Sequence, residues 1–569
     1  MSVNYQFLTV VILGTVVAHY LANTAYNLFF HPLSKYPGPC FARFSAWPSF
    51  YHTARGDRHI WLWRLHQVYG PIVRYRHDSV AITTPEALRA IYDSSSNVRK
   101  SHSYNVWHKK AEAPNTFSSI DKTRHAQRRR ILNAAMSDKT VKSAQGYVIK
   151  HTDRWLELLS TQKSEWSEPR NMCQWSDNLQ FDLMSELCFG KPVGTMEPGE
   201  NNLRSIPHDI AEWMWLTFRI MHSPFSDIWI WPKPRGLDAL FARYMPKPIK
   251  HCMKFVEEGV AKRLDQEEQS DKNGEESERK DMFHYLFQAI DPDTGRRGWS
   301  RQDLLEEADM LTIAATDTTA AAIASAFFYL SRHKIAYEKL EKEICSTFPT
   351  ADDIKIGPKL SGCEYLYAII NETLRMSPSG MSEFPREVLP GGIQVEGEYF
   401  PSGVNIGCAF YALFHSENVY GDPSIFRPER WLIGNGVSEA DVAEAKKAFA
   451  PFSLGARGCP GKSLALMEMS MVFARLLHGY DFRFAPGDKT GEGDANMGWG
   501  RQNKRQYQTR DAFVPLRDGP VSEEQLPIRS TRKDSEYGVL RSRMSSGCEG
   551  HGDGGGRKRG EAVRWETLR

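Results

Sequence analysis

The stretch that most limits what this chain can fold into runs from Leu304 to Leu330. It is long, apolar and free of proline and glycine, so nothing in it stops a helix. Its length would cross a bilayer, but Glu306, Glu307, Asp309 and Asp317 make that costly. A helix enclosed by protein is the better expectation, and a chain of 569 residues has enough material to enclose it. Within the run lies Ala314-Ala315-Thr316-Asp317-Thr318-Thr319. Polar groups buried there need partners or water. Threonines alone would bond back to the preceding turn. An acid beside them also suits proton transfer.

A second constraint is Phe452-Ser-Leu-Gly455-Ala-Arg457-Gly458-Cys459-Pro460-Gly461. An apolar run from Ser463 to about Leu477 follows and reads as a helix. Cys459 therefore sits just before a helix start, where backbone N–H groups favour an anion and lower a thiol's pKa. Taken alone, a cysteine in a tight turn is usually a buried, inert one. The whole loop resembles the haem-binding loop of the cytochrome P-450 family, F-x-x-G-x-R-x-C-x-G. Phe452, Gly455, Arg457, Cys459 and Gly461 fill every fixed position. The resemblance implies that Cys459 is the axial thiolate ligand of haem iron and that the cofactor is haem b, iron protoporphyrin IX.

Other segments extend the resemblance. Asp317-Thr318 resembles the acid–threonine pair of the family's distal helix, (A/G)-G-x-(D/E)-T, with Ala315 where glycine is usual. The implied role of Asp317 and Thr318 is proton supply. Asp121 to Ala135 carries His125 and Arg128-Arg129-Arg130. A basic run on a helix is usually a solvated face. His125 and Arg129, four residues apart on one face, also resemble the family's contacts to the haem propionates. Arg128 and Arg130 point elsewhere, towards solvent or a reductase. Arg386, after Pro385, resembles a further propionate-binding arginine, and residues 379–384 would face the substrate. Glu372 and Arg375 match E-x-x-R, followed by Phe426-Arg-Pro-Glu-Arg430-Trp431 in the family's order.

Phe7 to Phe30 is just long enough to span a membrane. No Lys or Arg precedes it, while Lys35, Arg43, Arg55 and Arg58 follow, which favours an uncleaved anchor with a cytosolic body over a signal peptide. Pro37-Gly38-Pro39 reads as a stiff hinge. The cluster Trp213, Trp215, Phe218, Phe225, Trp229 and Trp231 fits a core and a membrane contact equally. Residues 265–281 read as an exposed linker, Ile393 to Ile406 as a hairpin, and the chain from Arg517 as a disordered tail. Nine scattered cysteines without C-x-x-C argue against zinc or a disulfide scaffold. A net charge of +3 gives no reason to expect nucleic acid.

The expected fold is mainly α with a small β-rich region, the cytochrome P-450 fold, behind an N-terminal transmembrane helix. The expected division is 1–30 anchor, 31–59 hinge, 60–516 haem-binding domain and 517–569 tail. The resemblance, closest to fungal microsomal members, implies a monooxygenase of the endoplasmic reticulum membrane. It would use O2, electrons from NADPH through a reductase, and a small hydrophobic substrate of secondary metabolism. Two rivals are an O2-independent haem-thiolate isomerase or dehydratase and a non-catalytic haem-binding membrane protein. The first often lacks the acid–threonine pair; the second predicts a damaged cysteine loop or E-x-x-R. Both features are intact here.

Overall fold

The computed structural model describes residues 5–108, 114–160, 167, 169–245, 247–275, 277, 279–483, 485, 487–517 and 541–542. The expected tail lies outside the described residues apart from Arg517 and 541–542. Helix α1 (Tyr5–Ala25) continues into a π-helical turn, Tyr26–Phe30. None of its apolar window is buried in protein, as a lipid-facing segment requires.

The body is mostly helical. Among its helices are α2 (Arg58–Tyr69), α3 (Pro85–Tyr92), α4 (Lys122–Ala135), α5 (Met172–Phe189), α6 (Ile206–His222) and α7 (Lys247–Asn273). Then come α8 (Arg301–Arg332), α9 (Glu364–Met376) and α10 (Lys462–Gly479). α8 is the expected central helix. Ser300 and Asp303 close its N-terminus with a reciprocal capping box. It runs unbroken through Ala315, and every residue from Thr319 to Leu330 is buried. α5, α9 and α10 pack around it in one large core.

A five-stranded sheet lies beside the helices. Its strands are β1 (Ile72–Arg76), β2 (Ser79–Ile82), β3 (Val98–Lys100), β4 (Arg386–Val388) and β7 (Asn405–Cys408), in the order β1-β2-β7-β4-β3. β2 and β7 run parallel, with Val80 opposite Ile406; the other pairs are antiparallel. β5 (Ile393–Val395) and β6 (Glu398–Phe400) form a separate hairpin. Its turn is Glu396-Gly397, both at positive φ, and Pro401-Ser-Gly403 leads into β7. The segment 393–406 is therefore a hairpin plus one strand of the large sheet. β8 (Arg510–Ala512) and β9 (Val514–Leu516) form a last hairpin, with Phe513 at φ 77° between them.

The charged stretch after residue 265 is not a linker at its start. α7 continues through it to Asn273. The cause is a buried stripe, Val256, Val260 and Leu264, together with Arg263 locked between Glu267 at 2.9 Å and Asp281 at 3.0 Å. The aromatic cluster divides. Trp215 and Phe218 are buried in α6, while Phe225, Trp229 and Trp231 beyond it are exposed.

Glu372 is wholly buried between two guanidiniums. Arg375 lies 2.8 Å away and Arg430 3.0 Å away, and Trp431 Nε1 donates to the same carboxylate at 3.0 Å. Arg375 also donates to the Phe414 carbonyl and Arg430 to the Tyr420 carbonyl, both at 2.8 Å. This is a satisfied buried network and not a surface ion pair, so losing one member would strand charges in the core.

Candidate active site

The cysteine loop is shaped by backbone before chemistry. Gly455 has φ 63°, and a side-chain carbon there would lie 2.2 Å from the Tyr92 carbonyl oxygen at the end of α3. Only glycine fits that approach. The Cys459 N–H donates to the Phe452 carbonyl at 2.8 Å, which closes the loop. Phe452 itself is half-buried against the main core. A side-chain carbon at Gly461 would meet nothing nearer than the Cys459 sulfur at 3.9 Å, so its lack of a side chain leaves open the space beside the thiol. The helix start does not by itself make a thiolate. Burial pushes the Cys459 thiol up, against the Gly461 N–H, Arg129 and Lys462, which favour the anion. A bound metal ion would add positive charge that favours the thiolate.

Five basic groups gather beside this loop. α4 contributes His125 and Arg129, β3 contributes Lys100, the start of β4 contributes Arg386, and the loop contributes Arg457. Arg129 Nη1 reaches the Gly458 carbonyl at 2.5 Å. Arg457 donates to the carbonyls of Ser119 and, at 3.1 Å, Ile120. Arg386 donates to the Phe384 carbonyl at 3.2 Å and the Pro385 carbonyl at 3.3 Å. Lys100 donates to the Phe117 carbonyl and lies 3.9 Å from the Phe117 ring centre. Among the described residues, none of the five has a carboxylate partner within ion-pair distance.

That gathering is electrostatically strained. Burial, then Arg457, Lys100, Arg129 and Arg386, push His125 down to about 2. Burial and Arg386 push Arg457 down to about 9. Burial, Arg386 and Arg457 hold Lys100 well below the usual lysine range. Buried cations without anions are costly. A ligand carrying two carboxylates beside a soft-metal centre at Cys459 would relieve them, and haem, with two propionates, has that donor demand. Lys100 was not singled out from the sequence; a lone lysine in a short strand carries no signal until the fold brings Arg386 and Arg457 to it. Arg128, expected to point outward, instead turns inward to Glu307 at 2.9 Å and Asp303 at 2.7 Å. Arg130 pairs at the surface with Asp293.

α8 offers a different face. Ala314 is exposed in mid-helix and Thr318, one turn on, is partly so, although the following turns are wholly buried. These two residues share one helix face, which borders an open space. The Thr318 hydroxyl donates to the Ala314 carbonyl at 2.7 Å, and Ser379 Oγ donates to the Thr318 carbonyl at 3.1 Å. Asp317 is not on that face. It is buried, and burial followed by Asp177 pushes it up to about 8 against Arg517. The acid and the alcohol are thus adjacent in sequence but turned to different sides of the helix. A second acid escaped the sequence reading. Glu468 of α10 is fully buried, and burial pushes it up to about 8, with only Thr319 favouring the anion.

Aromatic rings converge on Phe513. Trp107 is 4.7 Å from it, Phe117 and Phe218 are each 5.7 Å away, and Phe384 is 6.0 Å away. These rings pack on one another as an apolar cluster. Trp499 packs against Trp63 of α2, away from these rings, and is half exposed.

Comparison with known proteins agrees with this architecture. The cytochrome P450 family model matches residues 37–508. The chain is 35% identical over 538 residues to cytochrome P450 monooxygenase AKT7 of Alternaria alternata, covering 91% of this chain and 97% of that one. It is 34% identical over 515 residues to cytochrome P450 monooxygenase apf7 of Gibberella fujikuroi, covering 87% and 94%. It is 33% identical over 509 residues to cytochrome P450 monooxygenase poxM of Penicillium oxalicum, covering 89% and 92%. With the family's loop, network and helix order all present, this chain belongs to the cytochrome P450 monooxygenases.

Proposed function

We propose that Cys459 is the axial ligand of a b-type haem whose propionates are held by His125, Arg129, Arg386, Arg457 and Lys100. The observation that carries this reading is a set of basic side chains gathered beside an exposed thiol, with no carboxylate within ion-pair distance among the described residues. A haem held there would supply the oxidative chemistry: one atom of O2 would enter the substrate and the other would leave as water, with two electrons from a reductase and two protons. The protein does the rest. Gly455 and Gly461 shape the loop and the space beside Cys459, and Phe452 packs beneath it. The Phe513 aromatic group and the Ala314–Thr318 face hold a small hydrophobic substrate and keep water out. Asp317 and Thr318 hold and pass the protons. The electrons come from NADPH through a membrane-bound reductase. The exposed α1 anchors the enzyme, in this reading in the endoplasmic reticulum membrane with a cytosolic body.

The similarity to fungal monooxygenases supports a place in secondary-metabolite biosynthesis. Hydroxylation, epoxidation and oxidative coupling are all within this chemistry. The test is a reduced carbon-monoxide difference spectrum of the full chain and of Cys459→Ser. The wild type is expected to give the red-shifted thiolate Soret band and the variant to lose it. A wild-type band without that shift would sink the assignment.

A further inference from the structure

Asp317 faces a cluster that none of its family motif predicts. α5 brings Asp177 and Cys173 to it, the segment before β8 brings Tyr507, and the residue after β9 brings Arg517. Arg517 Nη1 donates to the main-chain carbonyl of Asp317 at 3.2 Å, while Nη2 pairs with the Asp177 carboxylate. The Cys173 sulfur lies 2.7 Å from the Tyr507 hydroxyl, and both act on Arg517. His208 of α6 also favours the Asp177 anion. Asp317 Oδ2 has no hydrogen-bond partner.

The charge count decides the state of this cluster. One guanidinium faces two carboxyl groups in a site from which water is largely excluded: the side chains of Arg517 and Asp177 are 6% and 19% exposed. Two carboxylates so placed cannot both ionise cheaply beside one cation. Arg517 makes its side-chain ion pair with Asp177 and reaches Asp317 only at the backbone, so Asp177 takes the charge. The same backbone bond loads a turn whose neighbouring carbonyls, those of Ala314 and Thr318, already accept Thr318 and Ser379 hydroxyls.

We propose that Arg517 and Asp177 are positioning residues for the distal acid: their ion pair leaves Asp317 as the neutral, proton-bearing partner and ties its helix turn to the C-terminal hairpin. This rests on the reading of Asp317 as the acid beside Thr318. In this arrangement Asp177 competes with Asp317 for one cation. Removing Asp177 frees Arg517 to ionise Asp317, whereas removing Arg517 makes Asp317 harder to ionise. A pair that only held the fold, without acting on the Asp317 carboxyl, would move its titration in neither direction.

The test uses the full-length haem-loaded enzyme with its reductase. Infrared spectra across pH follow the protonated-carboxyl band that Asp317→Asn abolishes, and NADPH coupling is measured in parallel. Asp177→Asn is expected to move that band's titration down by about one pH unit or more, and Arg517→Gln to move it up by a similar amount. Arg517→Lys is expected to restore a near-wild-type midpoint, and it carries the cation arm if Arg517→Gln fails to fold. Shifts in the same direction, no shift in either variant, or no protonated Asp317 band at neutral pH would overturn the proposal. Opposite shifts together with an Asp317→Asn enzyme that couples normally would uphold the clamp and remove Asp317 from the proton path.

Discussion

Arg129 of α4 donates through Nη1 to the carbonyl of Gly458, 2.5 Å away and one residue before Cys459. This joins α4 to the cysteine loop through a single side chain. Arg129→Ala should therefore loosen the loop and remove one cation from the cradle. A hydrogen bond from a charged donor is worth about 1.5–3 kcal/mol. The expected result is roughly a tenfold or greater rise in the haem dissociation rate, read by transfer to a haem-scavenging globin. An unchanged rate would remove Arg129 from the cradle.

Gly455→Ala should act through the backbone alone. The residue has φ 63°, and the new methyl would meet the Tyr92 carbonyl at 2.2 Å. Left-handed strain costs about 1–3 kcal/mol, and the clash adds to it. The loop must then lift away from α3, so the variant is expected to show a weakened thiolate band and a lower melting temperature. A variant with wild-type spectrum and stability would contradict this geometry.

Glu372→Ala should be the most damaging single change outside the cysteine loop. It leaves Arg375 and Arg430 buried without their carboxylate. Breaking a buried pair from one side costs about 3–5 kcal/mol. We expect little soluble holoprotein, measured as haem per purified chain. Normal yield and haem content would show that the network is dispensable.

Glu468 gives a pH signature. Its folded pKa is raised to about 8 from an ordinary value of 4.5. Between those values the folded chain keeps a proton that the unfolded chain has lost. Stability is therefore full below the ordinary value and falls as pH rises towards 8, by an amount on the order of 4 kcal/mol. Glu468→Gln should flatten that fall in a melting-temperature series from pH 5 to pH 8. Parallel wild-type and variant curves would show that the carboxyl is not held neutral.

The parts legible in the sequence were those whose signal is local. The long apolar runs expected as helices are helices, within α8 at Arg301–Arg332 and α10 at Lys462–Gly479. The cysteine loop was readable because its spacing is contiguous. Lys100 and Arg517 were not, because each gains meaning only from partners far along the chain: Arg386 for one, Asp177 and Asp317 for the other. Glu468 sat within an apolar helix pattern, and its isolation depends on what packs around it. The start of the charged stretch after residue 265 misled because its ion pairs, such as Arg263 with Asp281, bind it to the core.

The mixed sheet carries a consequence for synthesis. β2 ends at Ile82, yet the strand it pairs with in parallel begins at Asn405, and Arg386 rides on the neighbouring strand β4. At about 5–20 residues per second, the ribosome needs roughly 15–60 s to deliver the second half after the first has emerged. During that interval β1 and β2 have no sheet to join, and the cysteine loop at residues 452–461 follows later still. If Cys459 holds the haem as proposed, loading would wait until nearly the whole catalytic body has left the ribosome.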